Sequence, residues 1–208
     1  MLESIFHGMN FCEWRPEDFN EGNVYPVIIF IHGAGSRGND ISIIKNHSVI
    51  RKITPQTKTK GIVFAPQCNS NTWFDEFNIL LDFIRMVKSL KYVDQSKVSL
   101  VGVSMGGYAT LQVLQSKPEW FSAAIVCCGG GMYWNAERLR NIPIRLFHGE
   151  KDTVVYPEES RRMYEKIRET GGKAELTIYP DCEHNCWDIT FQNEENIKWL
   201  LYQSKKEM

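Results

Sequence analysis

Six short apolar runs, each stopped at glycine or proline, constrain this chain more than any other feature. They cover residues 27–31, 62–65, 98–101, 123–128, 144–148 and 175–179. The first ends at His32-Gly33-Ala34-Gly35, the second at Pro66, the third at Gly102, the fourth at three glycines, the fifth at Gly149 and the sixth at Pro180. Most are continuous and rich in β-branched residues rather than alternating, the pattern of strands buried on both faces. An edge strand is expected near residues 9–14. Helical spacing fills the gaps. Phe77, Leu80, Leu81, Ile84, Val87 and Leu90 form one stripe, and Tyr108, Leu111 and Leu114 form another before Pro118. A third helix opens at Pro157, with Glu158 and Glu159 in its first turn, and closes at Gly171-Gly172. A last one spans about 193–202. Strands alternating with helices predict an α/β fold: a mostly parallel sheet covered by helices on both faces, with right-handed crossovers. Ligands of such sheets bind beyond the carboxyl ends of the strands, so the residues that follow each strand carry the functional argument.

With no linker, repeat or low-complexity tract, residues 1–208 read as a single domain. Lys plus Arg (24) nearly balances Asp plus Glu (25), for a net charge of −1. A basic face for nucleic acid or for a membrane surface is therefore not expected. No run reaches the roughly 18 apolar residues of a membrane span, and the N-terminus has no basic region leading into an apolar one. The six cysteines follow no scaffold spacing, so they are expected as reduced thiols in a cytoplasmic protein. Cys127 and Cys128, as consecutive strand residues, are expected to pack on opposite faces.

Gly102-Val103-Ser104-Met105-Gly106 matches G-x-S-x-G where a buried strand meets a helix. A serine on such a sharp turn is crowded, and small residues two before and two after it are physically required. The turn would expose the Ser104 hydroxyl above the sheet, near the positive end of a helix. An oxyanion needs two N–H donors aimed at one point. Met105 is expected to supply one, and the loop carrying Ala34 or Gly35 the other. A serine hydroxyl also needs a base. Of five histidines, His7 lies at the frayed N-terminus and His47 in a helix-like stretch. His32 and His148 close strands, where packing or support roles are expected. His184 sits in the loop after the sixth strand and is the favoured base. Asp152 follows the fifth strand. It is preferred over Asp181 and Asp188, each within four residues of His184, because the order Ser, Asp, His then runs through successive strand-end loops. Cys182-x-His184-x-Cys186 lacks a fourth ligand at usual metal spacing, so neither metal nor cofactor is expected.

These residues resemble the α/β-hydrolase superfamily. The likeness is to small capless phospholipase/carboxylesterase-like proteins of the predicted-peptidase, feruloyl esterase and polyhydroxybutyrate depolymerase type. It runs from about residue 14 to 202. It is carried by 30–40, by 65–68 with Trp73, by 102–108 and 128–131, and by 147–152 and 183–188. The resemblance implies Ser104 as nucleophile, Asp152 as orienting acid, His184 as base, and Ala34 and Met105 as oxyanion donors. Two departures stand out. The family often has proline four residues after the aspartate, where Tyr156 stands here and Pro157 follows. The short N-terminus leaves room for fewer leading strands than the full superfamily sheet.

The expected reaction is acyl transfer from a small-molecule ester to water. A peptidase or acyltransferase with the same triad is the alternative, and a non-catalytic binding module on this fold is the other. Only 129–141 stand where a cap is usually inserted, enough for a lip bearing Met132, Tyr133 and Trp134. Trp73, Tyr108 and Trp187 are candidate walls of the cleft, and Arg37 a candidate contact for an anionic group.

Overall fold

The computed structural model describes residues 1–58 and 60–205. The apolar runs become strands of one sheet: β1 (Leu2–Phe6), β2 (Met9–Trp14), β3 (Tyr25–Ile31), β4 (Ile62–Pro66), β5 (Val93–Val103), β6 (Ala123–Cys127), β7 (Ile144–Gly149) and β8 (Ala174–Tyr179). Their order is β1-β2-β4-β3-β5-β6-β7-β8. β1 and β2 run antiparallel, as do β2 and β4, and the other neighbours are parallel. The helices are α1 (Ile41–Lys45), α2 (Ser48–Thr57), α3 (Phe77–Ser89), α4 (Met105–Ser116), α5 (Glu158–Glu169), α6 (Trp187–Thr190) and α7 (Glu194–Tyr202).

The continuous apolar runs are explained by two separate cores, one on each face of the sheet. Ile28 and Phe30 of β3 join Val49, Ile50 and Ile53 of α2 and Ile197, Leu200 and Leu201 of α7. Val27, Ile29 and Ile31 join Leu80, Phe83, Ile84 and Val87 of α3 and Leu111, Val113 and Leu114 of α4. Alternate residues of one strand are thus claimed by opposite helix layers, and no position is left for a polar face.

Two sequence expectations are corrected here. The N-terminus does not shorten the sheet, which has eight strands among the described residues. β1 is an exposed edge whose Leu2 and Ile5 face solvent, so burial left no mark on its sequence. It is held instead by a hairpin register from Leu2↔Glu13 to Phe6↔Met9. His7 is accordingly a turn residue rather than part of a frayed end. His7 (φ 48°) and Gly8 (φ 84°) both occupy the left-handed region that a tight two-residue hairpin requires.

β6 also ends one residue early. Cys128 has φ 49°, and its N–H donates to the Phe147 carbonyl. That twist breaks the strand alternation, so Cys127 and Cys128 pack in the same core rather than on opposite faces.

Between β6 and β7 the chain makes a short 3-10 turn at Tyr133–Leu139 that packs on α4 and α5 and carries the exposed Trp134. No described helix is long and apolar enough to cross a membrane.

Candidate active site

β5 delivers Ser104 to the carboxyl edge of the sheet, and α4 begins at the next residue. Ser104 adopts φ 54° and ψ −122°, a conformation that is costly for any residue with a side chain. Its surroundings leave no alternative path. A Cβ at Gly102 would run into Thr110 Oγ1 and the Gly106 carbonyl, and one at Gly106 would run into the Ile31 carbonyl. The motif glycines are therefore small because the ends of β3 and β5 and the first turn of α4 occupy the same space.

Ser104 Oγ lies 2.8 Å from His184 Nε2, and His184 Nδ1 lies 2.7 Å from Asp152 Oδ2. Three strand-end loops, 80 residues apart at the extremes, converge on one hydrogen-bonded line. The loop bearing His184 is pressed against the end of β7: a Cβ at Gly149 would strike the Glu183 and Cys182 carbonyls. The Asp152 side chain is fully buried, whereas that of His184 is 23 % exposed. Burial pushes the Asp152 carboxyl up, but hydrogen bonds from His184 and from the Val155 and Val154 N–H groups outweigh it and hold the group below its ordinary range. Asp152 is thus ionised near neutrality and aligned as an acceptor for Nδ1–H.

The rival aspartates are engaged elsewhere. Asp181 pairs with Lys151 at 2.7 Å and is almost wholly exposed, and Asp188 pairs with Lys52 at 3.0 Å.

Ala34 opens a 3-10 turn immediately after Gly33, and Met105 is the first residue of α4. N–H groups at first helical positions have no intrahelical acceptor. A Cβ at Gly33 would lie 3.3 Å from Ser104 Cβ and 3.8 Å from its Oγ, so the Ala34 loop borders the serine hydroxyl. Arg37 lies in the same loop. Its Nε donates to the Ala34 carbonyl at 2.8 Å and its Nη1 to the Asn71 carbonyl at 2.7 Å, which braces the turn.

The expected wall residues divide. Trp187 is half-buried, and its ring meets His184 edge-on at 5.4 Å. Tyr108 is half-buried and turns towards Glu159, which together with burial pushes its phenol up to about 12. Trp73 is not a wall. It is fully buried, and its indole N–H donates to the His32 carbonyl at 2.9 Å. A buried indole needs an acceptor, and the end of β3 supplies one. His32 is buried as well: Nδ1–H donates to the Gly33 carbonyl, Nε2 accepts from Cys68 N–H, and burial pushes the ring down to about 4. His47 is no interior helix residue. It caps α2, with Nδ1 accepting from Val49 N–H.

Pro157 caps α5 and Tyr156 points outward, so the shifted proline leaves the Asp152 loop intact. All six cysteines are free and buried. Cys128 and Cys186 lie directly beneath the site, with Sγ atoms 2.8 Å apart and Cys128 donating to the His184 carbonyl. Sequence reasoning missed this thiol pair, as well as the contact of His148 with Asp152. The position of His148 directly before Gly149, in the strand-end run that carries Asp152, was the available signal.

Residues 24–198 match the dienelactone hydrolase family. A thermostable esterase is 34 % identical, with a TM-score of 0.82 over 94 % of this chain and 59 % of its own. Est1E from Butyrivibrio proteoclasticus is 16 % identical, with a TM-score of 0.73 over 95 % of this chain and 96 % of its own. Dipeptidyl-peptidase 5 of Porphyromonas gingivalis is 21 % identical over 89 % of this chain and 34 % of its own length. The chain thus spans about a third of that curated relative. It belongs to the dienelactone hydrolase family, within the α/β-hydrolase superfamily.

Proposed function

We propose that this member of the dienelactone hydrolase family is a serine-dependent carboxylic ester hydrolase. The observation that carries the reading is the unbroken line from Ser104 Oγ through His184 to Asp152, at 2.8 and 2.7 Å. Ser104 attacks an ester carbonyl while His184 Nε2 takes the hydroxyl proton. Asp152 holds the imidazole in the tautomer with Nδ1–H and balances the cation that forms. The Ala34 and Met105 N–H groups donate to the oxyanion. His184 then protonates the leaving alcohol, and water, activated by the same imidazole, releases the acyl group.

The short 3-10 turn in place of a cap suits an open cleft and a short acyl group, with Trp187 and Tyr108 as side walls. Arg37 is proposed as the contact for an anionic group on the substrate, through the part of its guanidinium not committed to the Ala34 and Asn71 carbonyls. The likeness to an esterase at 34 % identity supports ester over amide substrates. The dipeptidyl peptidases among the relatives favour peptidase activity as the second reading.

A fluorophosphonate probe and p-nitrophenyl acetate test the chemistry. The wild type should label once, at Ser104, and turn over the ester, and Ser104→Ala should do neither. Undiminished labelling of that variant would sink the reading. An aminoacyl amide cleaved faster than the ester would establish the peptidase alternative.

A further inference from the structure

The fifth strand carries a second histidine to the site. His148 and Ser160 are completely buried. His148 Nε2 lies 2.8 Å from the Val155 carbonyl and 3.2 Å from Asp152 Oδ2. Both are acceptors, so Nε2 must carry hydrogen. Nδ1 lies 2.7 Å from Ser160 Oγ, whose single hydrogen serves both this nitrogen and a second acceptor. That same hydroxyl lies 3.0 Å from the Gly129 carbonyl. The ring therefore joins β7, the Asp152 loop, α5 and the segment that follows β6.

We propose that His148 is a positioning residue for the esterase reaction: its Nε2–H, held between the Val155 carbonyl and Asp152 Oδ2, fixes the carboxylate that orients His184 and the loop that carries it. The count of donors supports this. A carboxylate offers about four lone-pair sites. Oδ1 accepts from Val154 N–H at 2.8 Å and from Val155 N–H at 2.9 Å. Oδ2 accepts from His184 Nδ1 at 2.7 Å, and His148 Nε2 stands 3.2 Å from it, its one hydrogen shared with the nearer Val155 carbonyl. With three sites filled and the fourth facing His148 Nε2, the carboxylate cannot rotate about its Cβ–Cγ bond without breaking bonds in a buried space, where unmade bonds are expensive. Burial pushes His148 down despite the Val155 carbonyl and Asp152, which keeps the ring neutral at working pH. The titratable groups facing it are Asp152 and His184, while Ser160, Val155 and Gly129 present no charge. Neutral His148 also draws charge from Oδ2 and so moderates the hold of Asp152 on the imidazolium of His184.

This inference rests on the proposed esterase reading, and two measurements separate their failures. Nitrogen-15 NMR of labelled histidines reads the tautomer without any activity. His148 should be neutral with hydrogen on Nε2 at about pH 7 and above. A ring with hydrogen on Nδ1 alone would overturn the proposal, even in a protein that labels normally. The rate of fluorophosphonate labelling at Ser104 reads function without choosing a substrate. His148→Leu should slow it about 10- to 100-fold and move its acid limb to higher pH. His148→Gln, whose amide N–H can reach the same oxygen, should restore the rate to within about threefold and return the limb. Wild-type labelling and an unmoved limb in His148→Leu would refute the proposal, as would folded His148→Gln as slow as the leucine variant. If His148→Leu does not fold, the glutamine variant and the tautomer decide.

Discussion

Replacing His47 with asparagine should make the protein less sensitive to mild acid. His47 caps α2 through Nδ1, which accepts from Val49 N–H at 3.2 Å, while its ring lies 4.9 Å from Phe30. Burial pushes the ring down from 6.5 to about 4, against the opposing pull of Asp188. Protonation would take away the lone pair that caps the helix and place a cation at its positive end. The folded state therefore refuses a proton that the unfolded chain accepts. Stability attached to this group is present above 6.5 and drains away as pH falls from 6.5 towards 4. Linkage makes the loss between pH 7 and 4.5 about 2 kcal/mol. Solvent at the exposed edge of the ring screens part of that, leaving about 1–2 kcal/mol. Asparagine keeps an accepting oxygen at the cap and does not titrate. Urea unfolding of both proteins at the two pH values provides the test. His32 behaves alike in both and cancels, and Asp152 loses its contribution only below 3.8, outside the window. His47→Asn should lose about 1–2 kcal/mol less than the wild type on acidification. Parallel losses would refute the reasoning, whatever the variant does to stability at pH 7.

Trp73→Phe removes the indole N–H from the buried His32 carbonyl and leaves a small void; it should cost about 2 kcal/mol in chemical denaturation while kcat/KM changes less than about twofold, because the ring lines no cleft. Gly106→Ala drives a methyl into the Ile31 and His32 carbonyls beneath the serine turn; it should cost about 3 kcal/mol or more, read as a lowered Tm or as insoluble expression, and wild-type stability would contradict the close approach.

Much of the fold was legible because its signals are local. A strand buried on both faces must be apolar throughout, and glycine or proline stands within two residues of the end of each core strand. Asn193 capping α7 and Pro157 opening α5 are likewise one-turn effects. β1 escaped notice because an exposed edge strand leaves no pattern of burial, and its stability comes from pairing with β2. The thiol pair escaped because a positive φ at Cys128 turns a residue that strand alternation would send to the other face.

The candidate site divides along the same line. Sequence order and the needs of a strained serine turn determined which residue types stand at the strand ends, and they selected Ser104, Asp152 and His184 from among their rivals. Only the tertiary structure decided which nitrogen meets which oxygen. It turned Trp73 into support for His32, tied Asp181 and Asp188 to lysines, and brought His148 against the far side of Asp152. The reason is that a hydrogen bond is set within a few tenths of an ångström by elements paired across the sheet, while sequence spacing specifies only the loop from which each group comes.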